Sequence, residues 1–179
     1  MKKRIVVAIS GEVSAGKTTA GDYLRDLGFG YTRISLAIRD VLVSAGEPEP
    51  TRRRFQEKGM EMHRRDQRDL CKRAIRLLPP YAFNFVADGL RWREDKEYFQ
   101  RRYGRRLVHL HVTAPVHLRR YRYNLRGKDV SFDEADTHEV EQEVPLLGTL
   151  ADATIMNELD VETFKRRLGE ALELELYAR

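Results

Sequence analysis

Gly11-Glu12-Val13-Ser14-Ala15-Gly16-Lys17-Thr18 matches G-x-x-x-x-G-K-[S/T] at every required position. The chemistry open to this spacing is polyphosphate binding. Gly11 and Gly16 permit backbone angles that turn successive N–H groups toward phosphate oxygens. A helix opening at Lys17 would aim its positive end at the same phosphates. The Lys17 ammonium offers a point charge for β- and γ-phosphates, and the Thr18 hydroxyl is placed to hold Mg²⁺. Thr19, the next residue, is counted with the loop.

A second set of candidates lies near the middle of the chain. Asp88 closes an apolar run, where a carboxylate can hold a water of Mg²⁺ or accept a hydrogen bond from an acceptor. Asp88-Gly89 is also a common turn dipeptide. Arg91 can grip a phosphate through two hydrogen bonds, or be a surface residue at a helix start. Glu94 can orient Arg91 or favour that helix start through the dipole.

Alternating strands and helices would position these groups. Residues 5–9 form a β-branched apolar run, as expected of a strand buried on both faces, and residues 17–27 follow with helical spacing. Further strands are expected at 31–34, 83–87, 107–112 and 153–156. Helices are expected at 35–45 (capped by Ser35), 51–78 (opened by Thr51, stopped by Pro79-Pro80), 92–103, 116–125, 129–143 and 161–176. This alternation implies a parallel sheet with helices on both faces, and ligands beyond the carboxyl ends of its strands.

The 179 residues suit one domain, 1–179, and the 41% hydrophobic share suffices for a core. The charged share is 34%, with a net charge of +5, so the surface is well solvated and local Arg clusters can favour anions. One cysteine, Cys71, excludes an intrachain disulfide and a multi-Cys zinc site, and it reads as a packing residue. The apolar run after Met1-Lys2-Lys3-Arg4 is too short for a secretory leader, no segment has the length of a membrane span, and a cytoplasmic location is expected. Arg52-Arg53-Arg54 and Arg64-Arg65 lack the interleaved aromatics of a nucleic-acid surface, so no nucleic-acid partner is expected.

The glycine loop, Asp88-Gly89-Leu90-Arg91 with Glu94, and Ala151-Asp152-Ala153-Thr154-Ile155-Met156-Asn157 together resemble the nucleoside monophosphate kinase superfamily. The similarity is greatest to its branch of deoxynucleoside monophosphate kinases, dephospho-coenzyme A kinases and archaeal adenylate-kinase-like proteins, and it covers nearly the whole chain. It implies an α/β, three-layer α/β/α P-loop kinase fold with a five-stranded parallel sheet and a short helical lid. The acceptor-binding region would be residues 34–78 and the lid 119–145. Ser35, Arg39, Arg53 and Gln56, with Asp88 and Arg91, would bind the acceptor. Arg119, Arg122 and Arg126 would be lid-side arginines, Arg119 and Arg122 acting with Lys17 and Asp88 on the γ-phosphate. Asn157 would lie near the donor's adenine. Ile34-Ser35-Leu36-Ala37-Ile38-Arg39-Asp40 lacks the acidic pair of dephospho-coenzyme A kinases and resembles the opening S-x-x-(I/L)-R-D-x-L of several nucleotide kinases.

The implied activity is transfer of a γ-phosphoryl group from ATP, or GTP, with Mg²⁺ held by Thr18 and Asp88, to a nucleoside or deoxynucleoside monophosphate. Dephospho-coenzyme A or another small metabolite is the alternative acceptor, and a non-catalytic nucleotide switch is the alternative function. A monomer or homodimer is expected.

Overall fold

The computed structural model describes residues 4–127 and 129–177. Met1-Lys2-Lys3, the start of the leader-like stretch, lies outside them, and the apolar residues that follow form a strand. In chain order the elements are β1 (Val6–Gly11), α1 (Lys17–Asp26), β2 (Gly30–Arg33), α2 (Ile34–Ser44), α3 (Arg52–Arg76), β3 (Phe85–Leu90), α4 (Arg93–Tyr103), β4 (Leu107–Thr113), α5 (Val116–Asn124), α6 (Phe132–Asp136), α7 (Val144–Thr149), β5 (Ala153–Met156) and α8 (Val161–Tyr177). Among the described residues five strands form one all-parallel sheet in the order β2-β3-β1-β4-β5.

β1 is buried throughout because it is central. Its side chains alternate with the pleat: Val6 and Ala8 join a core with α2, α3 and α4, while Val7 and Ile9 join one with α1 and α8. Two cores on opposite faces of one sheet give the three-layer architecture. The carboxyl ends of β1, β2 and β3 then lie side by side, with Ile9 and Arg33 both in register with Asp88.

Several boundaries differ from expectation. Arg33, not Ser35, is the N-cap of α2. Thr51 does cap α3, accepting a hydrogen bond from the Arg54 N–H at 3.2 Å, but α3 ends at Arg76 and is broken at Asp66, whose φ of −170° and ψ of 100° are extended. β3 starts later and runs to Leu90, so Asp88 lies inside the strand. Gly89, at φ +86°, sits where the register with β1 shifts. Residues 129–143 are not one helix. Ser131 caps the short α6, and the His138 side chain accepts from the Val140 N–H to start a separate 3-10 turn, Glu139–Glu141. Val130, Phe132 and Ala135 instead bury against Tyr123 and Val13, so the lid region has a small core attached to the glycine loop itself. Among the described residues no helix is long and apolar enough to cross a membrane.

Candidate active site

The loop between β1 and α1 is forced into shape by its two glycines. Gly11 has φ +146°, and a Cβ there would lie 2.0 Å from the Val112 carbonyl oxygen. Gly16 has φ +116°, and a Cβ there would meet Asn157 Nδ2 at 2.2 Å. Ser14, between them, has φ 58°, so left-handed residues curl the loop. Lys17 Nζ donates to the carbonyls of Gly11 (2.7 Å) and Glu12 (2.6 Å). Partial enclosure without a paired carboxylate pushes the Lys17 pKa down to about 7; desolvation is the main cause, and the nearby Arg91 charge adds to it.

Beside this loop opens a cavity of about 570 Å³. Its walls carry Lys17, Arg33, Arg39, Arg52, Arg91 and Arg126, opposed by Asp88, Asp129 and Glu141. Asp88 is 1% exposed; its Oδ2 accepts from the Tyr31 hydroxyl at 2.8 Å, and its buried Oδ1 has no hydrogen-bond partner. An orphaned buried carboxylate oxygen beside an anion cradle and the exposed Thr18 hydroxyl suits a hydrated divalent cation. Arg91 is aimed by Asp95, a buried carboxylate that accepts from the N–H groups of Arg91 (2.8 Å) and Trp92 (3.0 Å). The Arg91 guanidinium then donates to the Gly11 carbonyl at 2.8 Å. Asp95, rather than Glu94, thus positions this segment.

Of the acceptor-side residues read from the sequence, Ser35, Arg39, Gln56, Asp88 and Arg91 line the cavity. Arg53 does not; it is exposed and pairs with Glu134 at 3.2 Å. Its neighbour Arg52 takes the inward place, one helical step away. Arg119 and Arg122 also lie outside the cavity lining, and Arg126 alone of that trio reaches it. Arg119 is clamped by Asp136 at 2.6 and 3.1 Å and touches the Val13 carbonyl at 3.4 Å. Arg122 donates to the Asn157 carbonyl at 3.1 Å, and the Asn157 amide donates to the Ala15 carbonyl at 2.7 Å. These three residues therefore brace the outside of the loop. Arg33, Tyr31 and Glu141 were not singled out in the sequence, and Arg52 was named only within the run Arg52-Arg53-Arg54. The end of β2 in a parallel sheet was a usable signal for Arg33; nothing local marks Tyr31 or Glu141.

Beneath the loop lies a buried polar chain. Ser10 Oγ is 2.8 Å from His109 Nε2 and 2.9 Å from His111 Nδ1, while His111 Nε2 is 3.8 Å from Glu12 Oε1. Burial pushes the His109 pKa down to about 4, so that ring is neutral at pH 7. The Glu12 carboxyl is raised by burial, but the nearby His111 ring and hydrogen bonds from its own backbone and Thr113 hold it below its ordinary value, so it is charged. The Ser10 hydroxyl thus bridges the two buried rings. Ser10→Ala would strand two buried ring nitrogens. It should cost about 1–3 kcal/mol of stability, read by chemical denaturation.

A scan of the sequence against protein-family models gives no match, and neither does a search of curated proteins. Solved structures do match. A shikimate kinase from Acinetobacter baumannii, in complex with shikimate, has a TM-score of 0.63 at 16% identity, over 99% of this chain and 96% of that one. A gluconokinase from Sinorhizobium meliloti has a TM-score of 0.54 at 10% identity, over 98% and 97%. A dephospho-CoA kinase from Campylobacter jejuni has a TM-score of 0.52 at 11% identity, over 96% and 95%. The order of the strands, the glycine loop after the central one and these likenesses agree: the chain has the three-layer α/β/α fold of P-loop kinases.

Proposed function

We propose that this chain is a phosphotransferase that moves the γ-phosphoryl group of ATP to a small phosphate-bearing acceptor, a nucleoside or deoxynucleoside monophosphate. The observation that carries the reading is the shared wall: the anion-cradling loop and an arginine-lined cavity meet at Asp88 and Arg91. The neighbours in fold are named as kinases of small molecules, which supports a small acceptor.

Phosphoryl transfer asks the protein for positioning and charge neutralisation more than for covalent chemistry. The loop amides and Lys17 would hold the donor's phosphates. Thr18 and Asp88 would hold Mg²⁺, which when bound supplies positive charge to the donor's phosphate oxygens. Arg39, Arg52 and Arg91 would hold the acceptor's phosphate. Gln56 Nε2, buried without a hydrogen-bond partner, is free to donate to the acceptor's base. Arg119, Arg122 and Asn157 keep the loop in its binding shape. Activity assayed by release of ADP from ATP, or of GDP from GTP, against a panel of nucleoside and deoxynucleoside monophosphates tests the reading. Release stimulated by at least one monophosphate is expected; release unaffected by every one contradicts it.

The depressed Lys17 pKa gives a further expectation. A bound polyphosphate favours the ammonium form and raises that pKa, so binding above pH 7 takes up a proton. Below pH 7 both states are protonated and Lys17 adds no pH dependence. Above it, nucleotide affinity should fall by up to about tenfold per pH unit. Titration calorimetry in buffers of different ionisation enthalpy, at pH 6 and pH 8.5, reads the uptake directly.

A further inference from the structure

We propose that Glu141 is an internal anion seated where the acceptor's phosphate binds, and that a phosphate group displaces it from Arg52 and Arg91. The inference rests on the acceptor reading above and adds a competitor built into the chain.

Glu141 sits on the 3-10 turn Glu139–Glu141, and its side chain is only 4% exposed. Arg52 reaches its Oε1 at 3.4 Å, and Arg91 lies 3.3 Å from its Oε2. Neither contact has the short geometry of a good charge-assisted hydrogen bond. Oε2 is buried without a hydrogen-bond partner, and so is Arg52 Nε. Elsewhere the same chain builds tight two-point pairs: Arg54 with Glu47 at 2.7 Å twice, and Arg119 with Asp136 at 2.6 and 3.1 Å. The Glu141 seat differs from both in fit and in place, because it faces the cavity that also holds Lys17, Arg39 and Arg126.

Two arginines converge there on one carboxylate that satisfies them poorly. A phosphate offers a further oxygen and more charge, and can reach both guanidinium groups at once. Without an acceptor, the carboxylate spares the arginines an unpaired, half-buried charge. With an acceptor, it must leave, and the three-residue turn that carries it is the element that moves. Arg91 also donates to the Gly11 carbonyl, so the exchange occurs against the wall of the donor loop. Glu141 thereby sets a threshold: an acceptor without a phosphate cannot outbid it.

The test is titration calorimetry of inorganic phosphate into protein saturated with Mg-ADP, which occupies the loop. Glu141→Gln removes the competing charge, and Glu141→Asp keeps an acid for folding while shortening its reach. Both should bind phosphate about tenfold more tightly than the wild type. Adding Arg52→Met to either variant should abolish the gain. Equal or weaker phosphate binding in Glu141→Gln and Glu141→Asp, with Mg-ADP bound normally, overturns the exchange and makes Glu141 a residue that positions the arginines. Failure of Mg-ADP to bind even the wild type removes the phosphotransferase reading, and the exchange falls with it.

Discussion

Lys17→Ala should lower kcat/KM by about 10³-fold or more while the fold is retained. Lys17 is the side-chain cation that the glycine loop brings to its own mouth, and in the structure its ammonium already lies on the loop carbonyls. Both carbonyls keep another donor when it is removed: Arg91 bonds Gly11 at 2.8 Å, and the Ala15 N–H bonds Glu12 at 3.2 Å. No buried acceptor is stranded, so the usual cost of losing a partner is absent. The charge itself opposes folding, because its pKa falls from 10.5 in the open chain to about 7 in the fold. Between those values the unfolded chain binds the extra proton, so wild-type stability rises with pH from 7 to 10.5. Alanine removes that penalty, and its advantage in Tm should be largest at pH 7 and vanish toward pH 10.5. Calorimetric unfolding and steady-state rates on the same preparation check both halves. Near-normal turnover in a folded Lys17→Ala protein rules out the proposed site.

Asp88→Asn should lower kcat by about 100-fold or more and raise the magnesium concentration needed for half-maximal rate. Asparagine keeps the shape and can still accept from Tyr31, so the change is mainly one of charge. Tyr31 itself stays protonated, since burial and the Asp88 charge both raise its pKa, and it serves as a fixed donor. Tyr31→Phe therefore removes one hydrogen bond and should cost only about 1 kcal/mol of stability, with a small effect on rate. An unchanged magnesium requirement together with a raised acceptor KM in Asp88→Asn would assign this carboxylate to the acceptor instead of the metal. Unchanged kinetics would remove it from the site.

The shape of the glycine loop was legible because its constraints are local. Gly11 and Gly16 stand where a Cβ would strike Val112 and Asn157, and that requirement is written in residue type and spacing. Asp88 was legible through position, since the carboxyl edge of a parallel sheet collects ligand groups. The arginine-lined cavity, proposed as the acceptor side, was legible only in outline. Arg53 comes from the run Arg52-Arg53-Arg54, whose members point in different directions, and which one faces inward depends on how α3 packs. Here Arg52 lines the cavity, Arg53 meets Glu134, and Arg54 meets Glu47. Glu141 could not be found from the sequence, because its partners are brought in from other elements and the turn that carries it has no periodicity. Arg119 and Arg122 show the converse limit. The resemblance placed both on the lid side of the γ-phosphate, but Asp136 and the Asn157 carbonyl claim them, so they shape the loop from outside. His109 and His111 both lie in β4, and the Ser10 hydroxyl between them shows how two polar rings are accommodated in a buried sheet.

One ligand should span from the glycine loop to the arginine cavity. A crystal structure with Mg²⁺ and a bisubstrate analogue, two nucleosides joined through a polyphosphate, tests it most directly. The expected result is a chain of phosphates running from the amides of Gly11 to Thr18, past Asp88, to Arg39, Arg52 and Arg91, with Glu141 displaced. A polyphosphate bound elsewhere, or a cavity that excludes the second nucleoside while the loop is filled, would contradict it.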